Sequence, residues 1–330
     1  MIFRQLYDGE SSTYTYILGD EASRKAIIID GVRAQIERDL KILEELKLDL
    51  EYILETHVHA DHVTSASQLK QRTGAKTVYG AEVNLECADV LLKDGETLAW
   101  DAINIKAIHT PGHTSGCVSY HIGDKVFTGD TLMIRACGRT DFQGGSNEKL
   151  FHSVREKLFT LPDETYVYPA HDYLGRTVST IGEEKEFNPR LGVSKSMQDF
   201  VAFMEARKLP YPKMMDVAVP LNQRCGEMEK EEFEITPDEL KSSMDQYVLI
   251  DVRGASEQEG PSGCIDCAKL ATLGEDLNNF LDSADPNLSY VFICERGRRS
   301  AQALFEARSR GFKNVKSLQG GMTYWRACGK

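Results

Sequence analysis

Thr56-His57-Val58-His59-Ala60-Asp61-His62 places three imidazoles and one carboxylate within six positions. Residues of the same kinds follow at a distance: His113 in Thr110-Pro111-Gly112-His113-Thr114, Asp130 in Thr128-Gly129-Asp130-Thr131 and His171 in Pro169-Ala170-His171-Asp172. His and Asp are the ligands that borderline divalent metals take. A single His is ordinarily a satisfied core or surface residue. Four such groups at one place would be costly to bury without a common partner, so the cluster points to a metal. Small residues beside each candidate leave room for a metal and a substrate. All eight histidines lie at or before position 171, which assigns the metal chemistry to the first part of the chain.

Val291-Phe292-Ile293-Cys294-Glu295-Arg296-Gly297-Arg298-Arg299-Ser300 carries a second chemistry. A strand ends on a Cys, a short Gly-containing loop follows, and a helix starts. Backbone N–H groups of such a loop, with the helix N-terminus, favour an anion and lower a thiol pKa. Cys294 is therefore expected to be a reactive thiolate, with Arg298 and Arg299 adding positive charge.

These residues need a frame. Ala26-Ile27-Ile28-Ile29-Asp30 reads as a short buried strand ending on a carboxylate. Residues 34–46 read as a helix with Ile36, Leu40, Ile42, Leu43 and Leu46 on one side, and 50–56 as the strand that delivers the His cluster. A helix over 66–72 closed by Gly74 follows, then strands over 76–80, 103–109, 119–122, 125–128 and 165–168. Each metal candidate then sits on a loop just after a strand, where α/β folds usually place chemistry. Residues 188–225 read as helix and then extended chain, punctuated by Pro210, Pro212 and Pro220, and the acidic stretch 226–234 as a linker or hinge. Thr236-Pro237 starts a capped helix. Strands over 247–251, 290–294 and 315–318, alternating with helices over 277–283 and 300–310, predict a second, smaller parallel-sheet domain.

A chain of 330 residues exceeds one ordinary core, so two domains are expected. Hydrophobic content of 41% with 27% charge describes a soluble globular protein. The net charge of −12 argues against nucleic acid as a partner. The first eight residues lack the apolar core of a signal peptide, and no apolar run reaches the length of a membrane span. Eight cysteines without a secretion signal read as reduced thiols of a cytoplasmic protein, not as a disulfide framework.

His-x-His-x-Asp-His followed by a distant His, Asp and His resembles the metallo-β-lactamase superfamily, which implies an αββα sandwich with the metal at one edge. Cys137-Gly138-Arg139-Thr140-Asp141-Phe142-Gln143, Phe159-Thr160-Leu161-Pro162, Tyr168-Pro169-Ala170-His171-Asp172-Tyr173, Asn188-Pro189-Arg190-Leu191 and Val219-Pro220-Leu221-Asn222-Gln223-Arg224-Cys225-Gly226 narrow the resemblance to the persulfide dioxygenases. It covers about residues 1–226. It implies one mononuclear iron(II) per chain on His57, His113 and Asp130, although the ligand types alone would also suit zinc or manganese. His59, Asp61, His62 and His171 would then orient ligands and water instead of holding a second metal. Arg139 and Tyr173 are candidates for substrate contacts; their alternatives are a structural ion pair and wall packing. Cys137 reads as a buried, inert thiol.

Cys294 to Arg299 is similar to the active loop of the rhodaneses, supported by Ile250-Asp251-Val252-Arg253 and by Leu318-Gln319-Gly320-Gly321-Met322-Thr323-Tyr324-Trp325. This implies a smaller α/β domain over 235–330, after a linker at 227–234, with Cys294 as a persulfide-forming nucleophile. Gly263-Cys264-Ile265-Asp266-Cys267-Ala268 departs from the family's Gly-His-Ile-Pro-Gly-Ala, and Glu295 puts a simple preference for thiosulfate in doubt. Cys264 and Cys267 read as packing or bystander residues, with a redox pair as the alternative. The two resemblances together imply a fusion handling glutathione persulfide, O₂, sulfite, thiosulfate and glutathione, as a dimer or higher homo-oligomer without membrane attachment. The rival reading is a glyoxalase II-like zinc thioester hydrolase with an accessory rhodanese module.

Overall fold

The computed structural model describes residues 1–100, 103–212, 214–227, 233–260 and 263–328, with Arg298 described in its backbone alone. The chain divides into two compact units. One holds Met1–Tyr211 with Ala218–Gly226; the other holds Pro212–Val217 with Glu227–Lys330.

In the first unit β1 (Ile2–Asp8), β2 (Thr13–Gly19), β3 (Lys25–Ile29), β4 (Asp49–Leu54), β5 (Lys76–Gly80) and β6 (Val90–Leu92) form one sheet in that order. A second sheet runs β12 (Ser179–Thr180), β11 (Tyr166–Pro169), β10 (Lys125–Gly129), β9 (Val118–Ile122), β8 (Ile103–His109), β7 (Thr97–Trp100). Alternation along the strands builds the layers, because successive side chains point to opposite faces. Tyr16, Leu18, Ile27 and Ile29 of the first sheet meet Ile105, Tyr120, Phe127 and Tyr168 of the second in the central core. Their neighbours Ile17, Ala26, Ile28 and Ile53 face outward, onto Ile36, Leu43, Ala66 and Leu69 of the helices Ile36–Leu46 and Ala66–Thr73. Val126 and Val167 likewise face Leu150, Val154, Ile181, Phe200 and Met204. The result is the αββα sandwich expected from the motif.

Several readings need correction. Strands β1, β2, β6, β7 and β12 were not foreseen, and β1 and β2 pair antiparallel before the first βαβ unit. β2 is buried along its whole length, in a Thr-Tyr-Thr-Tyr run that carries little aliphatic signal. The stretch over Pro220 is the helix Met215–Asn222, not extended chain. Of the acidic linker, 228–232 lie outside the described residues, while Phe233 is buried and Glu234 belongs to a strand. The eight cysteines are not all free: Cys87 and Cys225 are bonded, because folding brings their Cα atoms to 5.9 Å across 138 residues of sequence.

In the second unit β13 (Glu234–Ile235), β14 (Val248–Asp251), β15 (Lys269–Leu270), β16 (Tyr290–Ile293) and β17 (Val315–Leu318) form a parallel sheet in the order β13-β17-β16-β14-β15. Ile235, Leu249, Val291, Ile293 and Leu318 share a core with Leu240, Ile265 and Met322. Thr236 caps the helix Pro237–Ser243 through a capping box with Glu239.

Candidate functional site

The loops after β4, β8, β10 and β11 bring His57, His113, Asp130 and His171 together. Ring centroids are 4.9 Å apart for His57 and His113, 4.0 Å for His57 and His59, and 6.4 Å for His59 and His171. One donor atom each from His57, His113 and Asp130 lies within 4.8 Å of the others.

The chain presets the face each ring presents. Thr56 Oγ1 donates its only hydrogen to Asp30 Oδ2 at 2.9 Å and therefore accepts from His57 Nδ1 at 2.9 Å. Asp30 Oδ1 accepts the Thr56 N–H at 2.8 Å. His113 Nδ1 donates to the Arg139 carbonyl at 2.7 Å, and His171 Nδ1 to the Ser12 carbonyl at 3.1 Å. His57 and His113 thus turn Nε2 toward the site, and partners of this kind are what orient metal ligands. For His171 burial opposes a charge, but Asp130 and Asp61, 3.8 and 3.6 Å from its Nε2, outweigh it and raise the ring to about 10. Burial, with His59 and His113 nearby, pushes His57 well below the ordinary histidine value, which favours the neutral ring a metal needs. Asp130 Oδ1 is buried without a hydrogen-bond partner, and Asp130 Oδ2 is 3.6 Å from His113 Nε2. A buried unpartnered carboxylate oxygen beside two Nε2 atoms fits a divalent metal.

The other imidazoles have different company. His59 Nε2 is 3.2 Å from Asp30 and 3.5 Å from Glu55, and His59 Nδ1 is 3.8 Å from Asp61. Burial opposes a charge on His59, but these carboxylates outweigh it and raise the ring. Asp61 Oδ2 accepts from His62 Nδ1 at 2.9 Å and from Thr13 Oγ1 at 3.1 Å. Burial would raise the Asp61 carboxyl, yet His171 and His62 hold it well below the usual range. His59, Asp61 and His62 still offer three atoms within 4.8 Å, so a second position is sterically available.

Gly129 enforces the approach of two strand ends. Its φ is +54°, and a Cβ there would lie 2.6 Å from Thr56 Oγ1. Asn222 was missed as a site residue. Its amide donates to the His59 and His62 carbonyls at 2.8 Å each, and its oxygen accepts from Thr64 N–H at 2.9 Å. Asp30 was seen only as a carboxylate closing a strand, a signal that carries no hint of its partner 26 positions on.

Arg139 does not present a free guanidinium. It pairs with Asp141 at 2.6 and 2.7 Å, donates to the Pro210 carbonyl at 2.8 Å and stacks over Phe142. Its guanidinium makes the structural ion pair that was the alternative reading, and its carbonyl orients His113. A cavity of about 430 Å³ adjoins it, lined by Thr140, Asp141, Ser146, Asn147 and Arg207 among others. Tyr173 is 70% exposed and stacks on His171, with centroids 6.1 Å apart and rings 4° from parallel. Cys137 is buried near Met204, and burial pushes its thiol up.

In the second unit Cys294 sits at the carboxyl end of β16, buried to 1% exposure. Gly297 N–H reaches its sulfur at 3.1 Å, and Ser300 Oγ lies 3.4 Å away. Arg299 is held by Glu257 through two bonds of 2.6 and 2.7 Å, so its charge is shared with a carboxylate. The side chain of Arg298 lies outside the described residues. Fully buried Arg253 bonds Asp251 and also reaches Glu295 at 3.1 Å and the Gly263 carbonyl at 2.7 Å. It holds Glu295, the residue after Cys294, in place. Cys264 and Cys267 are exposed free thiols, so of packing or a bystander role the first does not apply.

No helix among the described residues is long and apolar enough to cross a membrane. Residues 8–171 match the model of the metallo-beta-lactamase superfamily, and residues 236–328 that of the rhodanese-like domain. The mitochondrial persulfide dioxygenase ETHE1 of Bos taurus is 45% identical over 229 residues, which span 68% of this chain and 89% of that protein. The crystal structure of ETHE1 from Myxococcus xanthus is 51% identical, covers 69% of this chain and 100% of its own, and superposes with a TM-score of 0.67. A metallo-beta-lactamase from Staphylococcus aureus subsp. aureus COL, 20% identical, covers 97% of this chain and 98% of its own at a TM-score of 0.71, a likeness of fold alone. With that sandwich, that His and Asp constellation and these relatives, the chain belongs to the metallo-beta-lactamase superfamily, in its persulfide dioxygenase branch, and carries a C-terminal rhodanese-like domain.

Proposed function

We propose that the first unit oxidises the terminal sulfur of glutathione persulfide with O₂ at one iron per chain, and that the second transfers sulfane sulfur through Cys294. The oxidation balances as GSSH + O₂ + H₂O giving GSH, sulfite and two protons. The observation that carries this reading is the division of the imidazoles. His57, His113 and Asp130 offer one atom each toward one point, and Asp130 Oδ1 is buried without a hydrogen-bond partner. At the second position His62 Nε2 is also unpartnered, but Asp61 Oδ2 is taken by His62 and Thr13, and His59 lies among three carboxylates. That division favours one metal over two. Iron bound there would supply a redox-active centre with adjacent open positions for the persulfide sulfur and O₂.

Thr56 and the Arg139 carbonyl hold the two rings in register for binding. Tyr173, exposed above His171, is the proposed wall against which the substrate lies. The cavity beside Arg139 has a size suited to a small thiol carrier; Arg139 bounds it as a positioning residue. In the second unit the Cys294 thiolate attacks the outer sulfur of thiosulfate and displaces sulfite, leaving a persulfide on Cys294. Glutathione then takes that sulfur as glutathione persulfide and frees the thiolate. The Gly297 N–H and the Ser300 hydroxyl would stabilise the anionic sulfur in both forms. Sulfite and glutathione persulfide appear in both reactions, so one chain carries two steps that share intermediates.

The test is O₂ uptake with glutathione persulfide by protein of assayed metal content. Uptake with sulfite formation at about one iron per chain supports the reading. Two zinc with thioester cleavage and no uptake would make the first unit a hydrolase. Cys294→Ser should abolish sulfur transfer from thiosulfate and leave O₂ uptake unchanged.

A further inference from the structure

Nothing in the proposed reactions uses the bond between Cys87 and Cys225. Cys225 is buried and Cys87 half-buried, so one sulfur is approachable from outside. Cys225 packs with Val58, Tyr79 and Leu85, and Cys87 lies against the same cluster. Val58 is the residue between His57 and His59. Asn222 stands three positions before Cys225 and holds the His59 and His62 carbonyls. Cys225 N–H turns back to the Asn222 carbonyl at 3.0 Å, and the Cys225 carbonyl accepts from Ser67 N–H at 3.0 Å. The segment 222–226 therefore clamps the ligand-bearing loop both by hydrogen bonds and by packing. The disulfide is the covalent tie between that segment and the chain after β5.

We propose that Cys87–Cys225 is a thiol-exchange site for low-molecular-weight thiols, and that its redox state sets how firmly the loop 57–64 is held. A thiolate RS⁻ attacks Cys87 Sγ, forms a Cys87–SR mixed disulfide and expels Cys225 as a thiolate, which takes up the proton of the incoming thiol. A second RS⁻ attacks the R-bearing sulfur and leaves as RSSR, and Cys87 is released as a thiol. Two thiols are oxidised, the protein disulfide gains two electrons, and RSSR drives the reverse. Glutathione, the product thiol in the proposed reaction, is of this class, so its accumulation against its disulfide would open the clamp. The link to metal retention rests on the function proposed above; the link to loop order does not.

Non-reducing peptide mapping of the full-length chain, poised in buffers of glutathione and its disulfide, first establishes the bond. Hydrogen–deuterium exchange of the peptide covering 57–66 is then read in metal-free protein, where the Thr64 amide reports the Asn222 bond. Reduced protein and Cys87→Ser should exchange there about tenfold faster than oxidised protein. Metal loss to a chelator from loaded protein should quicken in parallel. Cys87→Ser should ignore the buffer; if it fails to fold, the reduced wild-type chain gives the same comparison. Equal exchange in the oxidised and reduced states, or free thiols at every poise, overturns the proposal. Failure to take up metal in either state would count against the proposed function and leave the exchange comparison decisive.

Discussion

Replacing Thr56 by Val keeps a β-branched side chain of similar size and deletes one hydroxyl. That hydroxyl lies 2.9 Å from both His57 Nδ1 and Asp30 Oδ2. Asp30 is 1% exposed, so water cannot easily replace the lost donor. A hydrogen bond to a charged group contributes about 1.5–3 kcal/mol and a neutral one about 1 kcal/mol. Metal-free Thr56→Val should therefore be destabilised by about 2–4 kcal/mol. With Nδ1 unpartnered, the ring is no longer held with Nε2 free, and metal affinity should fall roughly 10–100-fold. That corresponds to about 1.4–2.8 kcal/mol, which appears as an additional loss only in the metal-loaded protein. Urea unfolding of both forms, with chelator competition for affinity, separates the two effects. Metal affinity within about twofold of wild type in a clearly destabilised variant would refute the orienting role of Thr56.

Two further outcomes are expected. Gly129→Ala forces a Cβ to within 2.6 Å of Thr56 Oγ1 at a φ of +54°, and denaturation should show a loss of about 2–4 kcal/mol with weakened metal uptake. Asp39 is pushed up to about 6 by burial, against the pull of Arg38, from an ordinary value of 3.8. Its folded value exceeds its unfolded one, so the penalty is absent below about pH 4 and grows as pH rises through 6. Asp39→Asn should raise stability by roughly 2 kcal/mol at pH 8 and leave it unchanged at pH 4, as read from urea midpoints at the two values.

Much of the site was legible because ligand chemistry is local. His57, His113, Asp130 and His171 each close or follow a strand that period-2 patterning or β-branched residues disclose, and the Cys294 loop announces itself by a buried strand, a Gly and a helix start. The Gly74 stop of the helix Ala66–Thr73 and the Thr236 cap were legible for the same reason, since each is a contact within one turn. β2 was missed although its Thr, Tyr and Ile are strand formers, and Pro220 masked a helix that the surrounding structure imposes.

The amino-acid sequence by itself determined which side chains can bind a metal or attack sulfur, because those properties belong to single residues and short loops. Only the tertiary structure decided how each is used. It set Thr56 between His57 and a carboxylate 26 positions before it, and gave His113 the carbonyl of Arg139 while Asp141 took the guanidinium. It also drew Asn222 and Cys225 under the His57–His62 loop from more than 150 residues away. Such partnerships arise where segments distant in sequence meet at one edge of the sandwich, as Asp30 and Thr56 do after the paired strands β3 and β4.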